Sequence, residues 1–147
     1  MNNVSALYET DYYLWLQETY QALEKKEIER LDWPHLMEEI LSLGNEQRRK
    51  VDSYLRQLLI HLLLYQYWES EREHCAKGWQ NEIDNFRFEL ESLLQSRTLY
   101  NYLLQQISEI YIKARKQAIK KSELAPEIFP EKCAFTAADL LDSDFLP

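Results

Sequence analysis

Residues Val51–Trp68 read VDSYLRQLLIHLLLYQYW, and the spacing within this stretch decides the fold. Val51, Leu55, Leu58, Leu62 and Tyr65 recur at 4-3-4-3 intervals, which places them on one face of a helix and does not fit the strict alternation of a half-buried strand. Leu59, Ile60, Leu63 and Leu64 make the segment apolar nearly all round, so it belongs at the centre of a bundle or against a second subunit. His61 interrupts the apolar run, which falls far short of the roughly 20 residues that span a bilayer. No membrane segment is expected.

Working outward, Tyr12, Leu16, Thr19 and Leu23 form a stripe with Tyr8 and Trp15 beside it. This spacing predicts a first helix from about Asp11 to Lys26, capped by Thr10 or Asp11. Next comes LDWPHLMEEILSLGNEQ, residues 31 to 47. Asp32 is a good N-cap, Pro34 fits the first turn, and Leu31 with Leu36 suits a hydrophobic staple. The stripe continues through Leu36, Met37, Ile40 and Leu43. An unbroken helix from Trp33 to Trp68 would be about 54 Å long, so the helix is expected to break or kink at Gly44, which can turn left-handed without penalty.

Downstream, ESEREHCAKG reads as a charged connector. Trp79, Ile83, Phe86, Leu90 and Leu93 predict another helix to about Leu94. Ser96 or Thr98 restarts the chain, and Leu99, Leu103, Ile107, Ile110, Ala114 and Ala118 carry a last long helix to about Lys121. Residues 123 to 147 hold three of the four prolines together with anchors such as Phe129, Phe135, Leu140 and Phe145. They are expected to form a strap across the bundle, with Thr136 and Asp139 as a capping box for one short helical turn. The fold class is therefore all-α: one domain, an antiparallel helical bundle of about four long helices at residues 1–122 with a C-terminal strap at 123–147.

Composition agrees, since 2 Gly and 4 Pro supply little material for the turns of an all-β fold. Cys75 and Cys133 lie far apart with no CxxC pair, and MNNVSALYETDYY has neither a basic start nor an apolar run. A cytoplasmic location is expected. The net charge of −8 counts against a free-standing nucleic-acid binder. There is no Gly-rich phosphate loop, nucleophile elbow or zinc-spaced Cys/His set, so no cofactor is expected.

The blocks YETDYYLWL, LDWPHLMEEILSLG, LLIHLLLYQYW, the helix of Trp79, and FPEKCAF with LLDSDFLP fall in one order along the chain. In that order they resemble the family catalogued as domain of unknown function number 29, over nearly the whole length. The resemblance implies an all-helical, cytoplasmic bacterial protein with no assigned activity, and it carries over no catalytic residue. It places Leu31, Asp32, Glu38, Glu39, Gly44, His61, Trp79, Arg87, Phe129, Pro130 and Cys133 on family motif positions. The chain departs from the pattern at Gly78, where a Ser usually precedes the Trp, and at Ala134, where a Pro usually follows the Cys.

Four groups of residues carry candidate chemistry. His35, Glu38 and Glu39 share one helix face; the structural reading is a solvated face with a His35–Glu39 pair, and the metal reading joins Glu38 and Glu39 to His61. A carboxylate-bridged bundle site needs paired Glu-x-x-His motifs, and only Glu71-x-x-His74 is present. His61 reads as a core histidine partnered by Tyr54 or a carboxylate. The enzymatic alternative is that Arg56 and His61 resemble the Arg-x(4–6)-His motif of HEPN-type RNases, with Arg56 holding phosphate and His61 acting on the 2′-hydroxyl. Lys113, Arg115, Lys116, Lys120 and Lys121 end the last helix, where they complement its dipole, and the acids of the tail are expected to neutralise them. The leading functional expectation is a non-enzymatic interaction protein that self-associates through the Leu58–Trp68 face, with Leu58, Tyr65, Tyr67 and Trp68 as interface anchors.

Overall fold

A computed structural model describes residues 4–147. Its long elements are α1 (Val4–Thr10), α2 (Tyr12–Glu24), α3 (Trp33–Tyr67), α4 (Glu69–Leu93), α5 (Arg97–Ser122) and α6 (Ala137–Leu141), with 3-10 turns at Ile28–Arg30 and Pro126–Ile128. No strand occurs among the described residues. The chain divides into two compact units, Met1–Glu46 and Gln47–Pro147.

The first unit is built on α1, α2 and the start of α3. Asp11 caps α2 through its side chain, which accepts from the Leu14 N–H at 3.2 Å. The helix ends in a Schellman pair: Glu27 N–H reaches Ala22 O at 2.8 Å and Lys26 N–H reaches Leu23 O at 3.1 Å. Lys26 turns left-handed there, with φ 58. Helix α1 precedes the expected first helix and was not signalled by any stripe, because seven residues are too few to establish a period. Asp32 starts α3 as expected, its Oδ1 facing the His35 N–H.

Helix α3 does not break at Gly44: it runs unbroken for 35 residues, and no glycine among the described residues has positive φ. Glycine costs about 1 kcal/mol in a helix interior, too little to end a helix whose flanking residues propagate it cooperatively. Residues 41–50 are all exposed, and within them the Arg48 guanidinium lies over the Tyr102 ring, 5.3 Å from its centroid.

The second unit holds the main core. Val51, Leu55, Leu58, Leu62 and their neighbours meet Ile83 and Leu90 of α4 and Leu103, Ile110 and Ala114 of α5, so the apolar segment is the central helix. The expected charged connector is instead the first part of α4. Glu, Arg, Lys and Ala are good helix formers, and the reversal takes only Trp68. Arg72 stabilises it by donating to the otherwise orphaned carbonyls of Tyr65 and Gln66 at 2.7 and 2.8 Å. Ser96 caps α5, accepting from Leu99 N–H.

The strap packs Phe129, Phe135 and Leu140 into the same core. Thr136 and Asp139 form the expected capping box. Buried Arg87 fixes the strap by donating to the carbonyls of Leu140, Phe145 and Asp139 at 2.8, 2.7 and 3.0 Å. Tyr111 donates to Pro130 O, and Arg115 to Phe129 O and Pro126 O.

Candidate functional site

Two features of the first unit stand out: a polar cluster at the junction of α1, α2 and α3, and an apolar surface on α2 and α3.

The cluster is organised by Asp32, which is buried. Its Oδ2 accepts from Trp15 Nε1 at 3.0 Å and from His35 Nδ1 at 2.7 Å. Burial alone would raise the Asp32 carboxyl, but the hydrogen bonds from His35 and Trp15 outweigh it and hold the pKa below its ordinary value. The His35 ring stacks on Tyr8 with centroids 3.9 Å apart. Tyr8 and Tyr12 donate to the two oxygens of Glu39 at 2.6 and 2.7 Å, which pushes the Tyr8 phenol up to about 12 and lowers Glu39. The expected His35–Glu39 pair is therefore replaced: His35 turns to Asp32, and Glu39 takes the two tyrosines. A carboxylate with both oxygens already bonded is a structural anchor for α1 and α2. Glu38 is exposed.

The other sequence candidates lie in the second unit. His61 is buried, and its Nδ1 lies 2.7 Å from Gln57 O on its own helix; no hydrogen bond joins it to Tyr54 or a carboxylate among the described residues. A carbonyl can only accept, so Nδ1 carries the proton. Burial, first of all, lowers the His61 pKa, helped by the charge of Lys121 and opposed by the Gln57 carbonyl and Glu82. Phe86 packs against the ring at 5.3 Å. Arg56 Nε is buried without a hydrogen-bond partner, and no hydrogen bond joins Arg56 to His61 among the described residues. Glu38 and Glu39 belong to the first unit and His61 to the second. No group of three or more His, Cys, Asp and Glu suited to a metal ion occurs among the described residues. Glu71 accepts from Cys75 Sγ, and His74 is exposed.

The proposed interface anchors are used within the chain. Leu58 is 0% exposed, so it presents nothing to a second copy. Trp68 stacks on Trp79, Tyr67 meets the edge of Phe129, and Tyr65 accepts from Gln80. Of the two positions that periodicity left open for this helix, the centre of a bundle is the one its buried residues occupy, covered by α4, α5 and the strap, while Tyr65, Tyr67 and Trp68 are partly buried at its end. The basic end of α5 also differs from expectation. Arg115 bonds strap carbonyls, and no ion pair joins tail acids to Lys113, Lys116, Lys120 or Lys121 among the described residues.

The apolar surface was missed as a site because Tyr12, Leu16, Leu23, Met37, Ile40 and Leu43 were placed on helix stripes, and Tyr13, Tyr20 and Leu41 on none. On α2, Tyr12, Leu23, Leu16, Tyr20 and Tyr13 are 41–70% exposed and fall, in that order, within an arc of about 100°. On α3, Leu43, Ile40, Trp33, Met37 and Leu41 are 49–67% exposed and span about 160°. The pairs Tyr12–Glu39, Trp15–Asp32 and Glu18–Arg30 run in opposite sequence directions, so α2 lies antiparallel to the chain entering α3. Each stripe is displaced from its helix's contact line in the same rotational sense, by roughly 100°. Antiparallel helices wind oppositely when viewed from one end, so ideal helix geometry puts both stripes on the same side of the hairpin. A cheap signal was available: two adjacent amphipathic helices in a segment too short to cover both stripes.

A family model described as "Domain of unknown function DUF29" matches residues 7–146. No curated protein and no solved structure matches the chain. No helix among the described residues is long and apolar enough to cross a membrane.

Proposed function

The chain belongs to the DUF29 family, whose description assigns no activity, and from its geometry we propose that it is a non-enzymatic helical interaction module that docks a protein through the apolar face of the α2–α3 hairpin. The carrying observation is the pair of exposed stripes on one side of that hairpin. Ten large apolar side chains at 41–70% exposure present on the order of 1,000 Å², against the roughly 300–600 Å² of the largest patch on a typical monomer. A surface of that size rimmed by polar residues is the usual mark of a protein contact. The free thiols Cys75 and Cys133 suit work in a reducing cytoplasm. We place the interface on the hairpin, whose side chains are exposed, in preference to the Leu58–Trp68 segment, where Leu58 is buried and Tyr65, Tyr67 and Trp68 are partly buried.

The test is capture from native lysate, with and without nuclease, by the wild-type chain and by the Tyr20→Glu/Leu41→Glu variant. Both positions are exposed, and unchanged helix content by circular dichroism checks that the variant keeps its fold. Proteins retained after nuclease by the wild type and lost by the variant support the reading. Equal retention by both chains, or capture that vanishes with nuclease, refutes it.

A further inference from the structure

Resting on that interaction reading, we infer that the occupant of the hairpin face is a second copy of this chain, forming a four-helix bundle from two α2–α3 hairpins. Area is the first argument. A stable dimer needs roughly 800 Å² from each partner, and the face offers on the order of 1,000 Å².

The second argument is self-complementarity. A two-fold interface must match its own surface. The α2 stripe is tyrosine-rich, with Tyr12, Tyr13 and Tyr20, whereas the α3 stripe beyond Trp33 is aliphatic, with Met37, Ile40, Leu41 and Leu43. A two-fold axis lying in the face and parallel to the helix axes, the arrangement inferred here, sets the aromatic ridge of one copy against the aliphatic ridge of the other, the large-against-small pairing that helix packing favours. A shallow groove of about 380 Å³ along α2, lined by Tyr13, Leu16, Gln17, Tyr20, Gln21 and Glu24, gives Met37 or Leu41 of the other copy a hole to enter.

Charge placement is consistent with this occupant. Residues 1–46 carry ten acids against three bases; the stripes themselves hold no charged residue, and the acid on the groove wall, Glu24, accepts from the Tyr20 hydroxyl at 3.3 Å. Glu18 and Glu27 pair with Arg30, Glu39 is bonded by the tyrosines, and Asp32 is buried. Like charges therefore meet only at the rim, where salt screens them. Dimerisation should strengthen with salt, whereas docking of a basic partner would weaken.

Sedimentation of the purified full-length chain, read against its 17.8 kDa mass, tests the inference. The expected result is a reversible dimer with a Kd on the order of micromolar, tighter at about 0.5 M than at about 0.1 M salt. Tyr20→Glu/Leu41→Glu should raise that Kd on the order of 100-fold or more, because each glutamate would be buried against apolar surface, with helix content by circular dichroism unchanged. A chain that stays monomeric at about 1 mM, a dimer unaffected by the variant, or a dimer that salt dissolves overturns it. A monomeric chain that still captures a different protein through the same face would reject the second copy while leaving the interaction reading intact. Loss of both reactions would reject both.

Discussion

Lys26 and Glu123 sit in the left-handed region at φ 58 and 59, where a Cβ is crowded and glycine is not. At Lys26 the Schellman geometry demands that conformation, so Lys26→Gly is expected to stabilise the chain by about 1 kcal/mol; a lower melting temperature would contradict it. Asp32→Ala acts in the opposite direction. It removes an N-cap, about 1 kcal/mol, and leaves the Trp15 indole N–H without its partner, a further ~1–3 kcal/mol. Faster hydrogen exchange across α2 is the readout. At His61 the sign follows from burial. The folded pKa lies below the ordinary 6.5, so as pH falls through about 6.5 the unfolded chain takes up a proton that the folded chain does not. The stabilisation is complete above that pH and is lost as pH falls below it. Urea midpoints at about pH 7.5 and 5.5 should fall further apart for the wild type than for His61→Gln; equal separations would sink the account.

At the scale of elements, local chemistry was legible and distant partners were not. The caps at Asp11, Asp32, Ser96 and Thr136 each depend on a neighbour three residues away, so the sequence carries them. The role of Arg72 as a lid on the end of α3 depends on the chain reversing at Trp68, which a string of charges does not signal. Gly44 misled for a related reason: a residue able to end a helix does so only where something competes for its backbone, and nothing lies within 4 Å of the place its Cβ would occupy. Gly44→Ala should therefore stabilise α3 by about 1 kcal/mol, measured as slower hydrogen exchange over residues 41–50, whereas a left-handed turn at Gly44 would make the same change destabilising. Arg87 falls on the Ile83–Leu90 face of its helix, but its partners, three strap carbonyls held at once, lie more than fifty residues away and leave no local signal. Arg87→Ala is expected to cost about 3 kcal/mol and expose the strap to proteolysis. Arg87→Lys should not rescue it, since an ammonium lacks the fork that reaches three acceptors.

The two units of the whole molecule are unequally provided with core, and this shapes how it should unfold. The second buries a continuous cluster from three long helices and the strap. Among its described residues the first keeps Val4, Trp15, Ala22 and Leu31 as buried apolar side chains, too little for a segment of its length to hold firmly alone. The candidate surface was hard to read from sequence for the same reason. Periodicity gives the width of an apolar stripe but not whether the chain has enough mass to cover it. Unfolding in urea is then not a single two-state event: exchange in α2 should open at a lower free energy than exchange in α5. If a second copy covers the hairpin, mass action adds stability to the first unit alone. Raising the protein concentration tenfold across the dissociation range should move the α2 transition to higher urea and leave the α5 transition in place. Tyr20→Glu/Leu41→Glu should abolish that dependence without shifting α5. A concentration dependence shared by both transitions would place the contact on the second unit, and its absence from both would leave the hairpin face without a second copy.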